Sequence, residues 1–250
     1  YKGLLDGQVM TNGNPGSGPY FQLKVDGAYL PLQLIGIAQD VKSDGTGKAG
    51  LTFQMRDVYA NSSIRSTAAG GGTFDTRMNP SNVNSGGWSS SLLRSTLRSA
   101  FWDKLPSEIQ AAIVLVDKFQ QLRSSETDPA TSTSLQKTIG ETIWLPSDYE
   151  MFGTIFSRFN DSEGLTTVAG YVPFQYMAYQ PGGTSTMNTH VIKTYNGSSV
   201  WWWTRSTIFI NDSFFCGVNQ DGGFDSNYAS GSIAASGAGI ATGVIPCFCL

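Results

Sequence analysis

The sequence predicts an α+β fold: two helices set apart from an antiparallel sheet of short strands, with long loops between them. Three observations carry this reading. Apolar residues alternate at Phe21, Leu23 and Val25 ahead of Asp26-Gly27, the pattern of a half-buried strand entering a hairpin. Leu93, Leu97, Phe101 and Leu105 recur every fourth residue, the stripe of an amphipathic helix. More than a third of the chain is Gly/Ser/Asn/Thr-rich and reads as loop, so loops are the expected carriers of function.

Taken in order, residues 1–19 read as an N-terminal arm or linker and residues 20–250 as one domain. Tyr29 to Ala38 continues the first hairpin as a mostly buried strand. Asp44-Gly45-Thr46-Gly47 is a turn, and Ala49 to Met55 a third strand. Residues 60–87 read as irregular. The helix that follows is expected to be capped by Ser89 or Ser90, with Arg94 and Arg98 on its solvated side and Pro106 ending it. Ile113 to Phe119 has the composition of a buried strand, and residues 123–137 of a polar loop. Ile143-Trp144-Leu145 is a short strand. Pro146 to Glu150 begins the second helix, with Ser147 as its cap and Asp148 and Glu150 favoured by the helix N-terminus. Residues 159–183 are irregular and dotted with aromatics.

The final fifth of the chain stands apart. It opens on Trp201-Trp202-Trp203-Thr204-Arg205-Ser206 and closes on Val244-Ile245-Pro246-Cys247-Phe248-Cys249-Leu250. From Thr207 to Gly243 there is no Lys, Arg, Glu, His, Leu, Met, Trp or Pro, and Gln220 is the one long polar side chain. That alphabet has two readings. It is what randomising both adenines of an Asn codon yields, since Lys, Glu, Gln, Met and Trp are then out of reach. It is also what any loop rich in Gly and Ser contains. In either case two apolar ends bracket a display segment too Gly-rich for a regular helix.

Composition narrows the function classes. Charged residues are 14% of the chain, against roughly 25% in ordinary soluble domains, and the net charge is −3. Neither figure provides the basic footprint of a nucleic-acid or anionic-membrane binder. No stretch approaches the ~18 apolar residues of a membrane span. The three cysteines, Cys216, Cys247 and Cys249, have no metal-ligand spacing and read as buried free thiols. Cys247 and Cys249 are expected on opposite faces of the last strand, which disfavours a dithiol site. His190 is the single histidine and has no nucleophile beside it. No nucleophile elbow, phosphate loop or zinc-protease motif occurs. The close carboxylates Asp148/Glu150 and Asp161/Glu163 lack any sign of facing each other across a groove. No enzyme, cofactor or metal is expected.

Five segments in order carry a resemblance. They are Lys48 to Phe53; Gly86-Gly87-Trp88 with its helix through Leu105-Pro106-Ser107-Glu108; Ile143 to Glu150; Trp202 to Ser206 with Phe215 to Gly222; and Gly243 to Cys249. Together they resemble a domain family of unknown function common in gut bacteria and their phages. That family includes variable proteins of diversity-generating retroelements, whose C-terminal domain is similar to the C-type lectin fold. The resemblance implies a C-type-lectin-like domain in which adenine-directed mutagenesis alters surface positions of a ligand-binding segment, residues 207–241, while the Trp-Trp-x-Arg-Ser block and the final Phe-Cys strand serve as scaffold. Thr204 departs from the aliphatic residue expected before the Arg, and Gly223 to Thr242 is longer than usual.

The implied role is a phage receptor-binding protein at a tail tip or fibre, on the virion or the bacterial cell surface. Its partners would be a host surface receptor, protein or glycan, and other virion tail proteins; by analogy it would be a homotrimer, with neither nucleic acid nor membrane insertion involved. The alternative is a structural virion or cell-surface protein without a dedicated ligand site. Rigid aromatics and small polar groups suit an adaptable binding surface. The expected anchors are Phe209, Phe214, Phe224 and Tyr228, and the expected hydrogen-bonding groups Asn211, Asp212, Asp225, Asn227 and Ser230.

Overall fold

A computed structural model of the chain describes residues 21–62, 66–67, 73–121, 135–152, 191–208, 211–229 and 242–250. The arm (1–19), His190, Asp161, Glu163, the irregular stretch 159–183, Phe209 and Ser230 lie outside them.

The chain opens with β1 (Phe21–Val25) and β2 (Ala28–Ile37), turning at Asp26 and Gly27 with φ of 50° and 84°. Both central residues of this two-residue turn are left-handed, as such a hairpin requires. Then come β3 (Leu51–Met55), β4 (Ala60–Ser62), β5 (Ser66–Thr67) and β6 (Thr73–Phe74). A 3-10 turn at Trp88–Ser90 leads into α1 (Leu92–Thr96), which runs on through a π turn (Leu97–Phe101) and a 3-10 turn (Trp102–Lys104). After α2 (Ser107–Ala112) follow β7 (Val116–Gln121), β8 (Leu135–Glu141) and α3 (Asp148–Phe152). The last part holds β9 (Lys193–Tyr195), β10 (Ser198–Val200), β11 (Trp202–Thr207), β12 (Phe214–Val218), β13 (Phe224–Tyr228), β14 (Thr242–Val244) and β15 (Cys247–Cys249).

Two sheets organise these strands. One has the order β1-β2-β3-β15, the other β13-β12-β11-β14-β4, and β5-β6, β7-β8 and β9-β10 are two-stranded ribbons. The C-terminal segment therefore joins both sheets: β14 lies parallel to β11, and β15 pairs antiparallel with β3. Trp88, Trp144, Trp202, Trp203, Phe101 and Phe215 are fully buried in one apolar cluster.

This architecture corrects the expected fold class. The protein is predominantly β-sheet, and it is not an α+β C-type-lectin-like fold with two principal helices. The three α-helices among the described residues are five or six residues long. The periodic stripe was sound as far as it went: Leu93, Leu97 and Phe101 are fully buried and Leu105 nearly so. It marks one irregular helical run whose hydrogen bonding changes twice, so it is no framework element. The residues between the recognised segments supply strands instead, and β4 to β6 fall in a region read as loop. No helix among the described residues is long and apolar enough to cross a membrane.

Local expectations differ too. The cap of α1 is Ser91, whose Oγ accepts from Arg94 N at 3.2 Å, in place of Ser89 or Ser90. Arg94 is turned inward to the buried Glu141, 2.7 Å away. Residues two apart on a strand share a face, so Cys247 and Cys249 point the same way. Cys249 lies 3.3 Å from Thr52 Oγ1, and burial pushes both thiols above their ordinary pKa. Protonated and buried, they are poor nucleophiles.

Candidate ligand-binding surface

The display segment is held by its two ends. Every residue of β11 is buried. Trp202 Nε1 donates to Val191 O at 3.1 Å and Trp203 Nε1 to Thr76 O at 2.9 Å, so each indole N–H is satisfied inside the core. Arg205 donates through Nε to Phe119 O (2.7 Å) and through Nη1 to Leu145 O (2.8 Å) and to Glu150. Glu150 also receives Lys118 Nζ at 3.0 Å, and Lys118 pairs with Asp40. Two cations and two carboxylates thus alternate in one buried network, which also takes in Thr52 and Cys249 at Asp40. Burial opposes every one of these charges. Arg205 and Lys118 nevertheless outweigh it at Glu150, whose pKa is held at about 2, and Asp40 and Glu150 keep that of Lys118 above its usual value.

Asp148 and Glu150 therefore do more than favour a helix start. Glu150 and Ser147 form a reciprocal cap, Ser147 N to Glu150 Oε2 (2.8 Å) and Glu150 N to Ser147 Oγ (3.1 Å). Asp148 accepts from Ser206 Oγ and from Tyr149 N, and burial raises its pKa to about 6. These charges lie too deep to meet a substrate. Their chemistry is to fix β11, β7 and α3 to one another.

The segment reaches the surface between these ends. After the buried Ile208, Asn211 N bonds back to Ile208 O, and Asn211 Oδ1 accepts from Ser213 N at 2.8 Å. That is an Asx turn, closed by the residue type that makes one most readily. β12 then runs inward: Phe215 to Val218 are buried, and a methyl group at Gly217 would lie 2.2 Å from the Trp201 ring. The indole of Trp201 lies across Gly217, stands edge-on to Trp203 at 4.6 Å, and donates to Asp225 Oδ2 at 3.2 Å. A second Asx turn follows, Asn219 Oδ1 accepting from Asp221 N (3.0 Å) and Gly223 N (2.8 Å). β13 returns along β12 as the edge of its sheet.

The expected contact residues divide accordingly. Asp212 is exposed, and Asn211, Phe214, Phe224 and Asp225 are half-buried. Phe214 and Phe224 pack with one side on the small cluster of Ile208 and Cys216. The Asn211 carboxamide closes its own turn, and Asp225 receives the Trp201 indole, so each has a structural task. Asn227 and Tyr228 stand opposite Phe215 and Phe214 in register.

Sequence reasoning missed the second wall of this surface. The fully buried Asn84 donates through Nδ2 to Asn211 O (2.7 Å) and Phe214 O (2.9 Å), and its backbone N donates to Asp212 O. Residues 80–83 beside it are exposed, Val83 to 43%. Asn84 lay in a Ser/Asn-rich stretch whose composition marks no single residue. Among the described residues no three His, Cys, Asp or Glu side chains group as a metal site would require.

A family described as a domain of unknown function, DUF6273, matches residues 52–250. The chain belongs to this family. The DUF6273 match takes in β3 and everything after it, and so the whole display segment with both of its ends. No curated protein and no solved structure matches the chain.

Proposed function

We propose that this chain is a receptor-binding protein whose 207–241 segment is a diversifiable ligand-facing surface, carried at the tip or fibre of a phage tail. The observation that carries the reading is a contrast within one segment. Its ends are locked by fully buried residues, Trp202 to Thr207 on one side and Gly243 to Cys249 on the other. Its turns, at Asn211 to Ser213 and Asn219 to Asp221, sit at the surface and are closed by backbone and Asx bonds. With Asn211 and Asn219 kept to close the turns, exposed side chains between and beside them, such as Gln220 and Asp221, change at little cost to the fold, which a variable binding surface requires.

The partner in this reading is a protein or glycan of the host cell surface. A homotrimer joined to other tail proteins is the corresponding assembly. Half-buried Phe214 and Phe224 serve as anchors, and Asp212 with neighbouring amides supplies polar contacts. Sequencing this gene across a related population tests the idea. Substitutions concentrated in residues 207–241, at codons derived from adenines, are the expected result. Changes spread evenly over strands and turns would sink it.

A further inference from the structure

A second group of buried polar side chains lies on the face of β3 and β15 that also carries Thr52 and Cys249. Gln33 opposes Gln54, and Gln54 opposes Cys247, so the three side chains stand in one row on one face of β2, β3 and β15. Gln54 and Cys247 are fully buried, and Gln33 is half-buried at the end of the row. Lys193 of β9 reaches over it. Lys193 is 2% exposed, and its ammonium donates to Gln33 Oε1 and Met55 O, each at 3.3 Å. These two acceptors are uncharged, and among the described residues no carboxylate lies within ion-pair distance. Both polar atoms of the Gln54 amide are buried without a hydrogen-bond partner.

Buried ammonium groups are ordinarily paired, and buried amides ordinarily bonded. Here one ammonium proton and both polar atoms of the Gln54 amide are left over on either side of Gln33, and Asp57 offsets the ammonium only from a distance. Water would meet the hydrogen bonds and leave the charge uncompensated. A small anion meets the free N–H donors and the charge together. We propose that the polar group of Lys193, Gln33 and Gln54 binds a monovalent inorganic anion of halide size, with Lys193 Nζ and Gln54 Nε2 as donors. Burial lowers the Lys193 pKa to about 8, so at neutral pH the ammonium is still mostly charged and attracts such an ion. Gln33 is the half-buried member of the group, and its face of the sheet continues to the exposed Gln22, Lys24 and Tyr29.

Sodium bromide is the probe. In thermal unfolding of the full chain at constant ionic strength, bromide replaces gluconate, a far bulkier anion. The expected result is a Tm that climbs with the logarithm of bromide concentration, a response lost in Lys193→Met and weakened in Gln54→Leu. Should either variant fail to fold, anomalous diffraction from bromide-soaked crystals of the unaltered chain decides. A peak within hydrogen-bonding reach of Lys193 Nζ and Gln54 Nε2 supports the site. Ordered water without a bromide peak, or a thermal response equal in Lys193→Met, overturns it.

Discussion

Removing the Glu150 side chain is costly, because two buried cations, Lys118 and Arg205, pair with it. Lys118 retains Asp40 if the carboxylate goes, but Arg205 loses the carboxylate that its Nη1 meets beside the Leu145 carbonyl. Breaking a buried pair by deleting one member typically costs about 3–5 kcal/mol. Glu150→Ala is expected to lose that much in urea unfolding, with the m-value unchanged. Asp148, two residues earlier, has the opposite pH behaviour. Its folded pKa of about 6 lies above the ordinary 3.8, so the stability it contributes is complete below 3.8 and lost as pH rises through 6. For Glu150, held at about 2, the contribution is complete above 4.5 and lost as pH falls through 2. Asp148→Asn removes the first dependence and leaves the second. The variant should therefore gain on the unaltered protein by on the order of 2–3 kcal/mol between pH 4 and pH 7. Denaturant titrations at the two pH values measure it, and a gap that stays constant with pH would refute the assignment. Little of this network was legible in the sequence. Arg205 stood out inside its Trp-rich block, but Asp40 and Lys118 are 78 positions apart and meet only in the folded chain.

At the scale of elements, period and turn chemistry carried well, and tertiary contacts decided the remainder. The Asp26-Gly27 hairpin, the Leu93-Leu97-Phe101 stripe and the Ser147 cap were all written in local spacing. Spacing said nothing of the π turn that interrupts the stripe, nor of the ladder partner that makes a strand of β4, three residues long and paired with β14. The candidate surface shows the same split. Its two Asx turns follow from Asn211 and Asn219, whereas its clamp, Asn84, acts across more than 120 residues of chain. Asn84→Ala removes two bonds to the carbonyls of Asn211 and Phe214. The expected outcome is faster hydrogen exchange at residues 211–214, with β11 amides still protected; uniform loosening of both would mean that Asn84 supports the core and not the turn. Gly217→Ala makes the converse test. The added methyl would meet the Trp201 ring at 2.2 Å and adjacent backbone at 2.6 Å, so a loss of about 1–3 kcal/mol from overpacking is expected.

For the molecule as a whole, the family match and the folding unit have different limits. The DUF6273 match begins at residue 52, inside β3, yet β3 is held between β2 and β15 in the four-stranded sheet. Phe53 and Met55 face the same side as Leu32 and Leu34, and Phe248 stands opposite Phe53. Without residues 21–51 that apolar face would lose its β1–β2 cover and β3 would become an open edge, a template for association. The Val114 to Cys249 and Ser43 to Leu115 backbone bonds tie the same region to the strand after α2. The N-terminal hairpin therefore belongs to the same folding unit as β11 to β15. A chain of residues 21–250 should unfold in one cooperative transition. One of residues 52–250 should be aggregated or lack a sharp transition in the same buffer. Equal melting temperatures and monomeric elution for the two would show that β1 and β2 are an appendage and that the sheet closes without them.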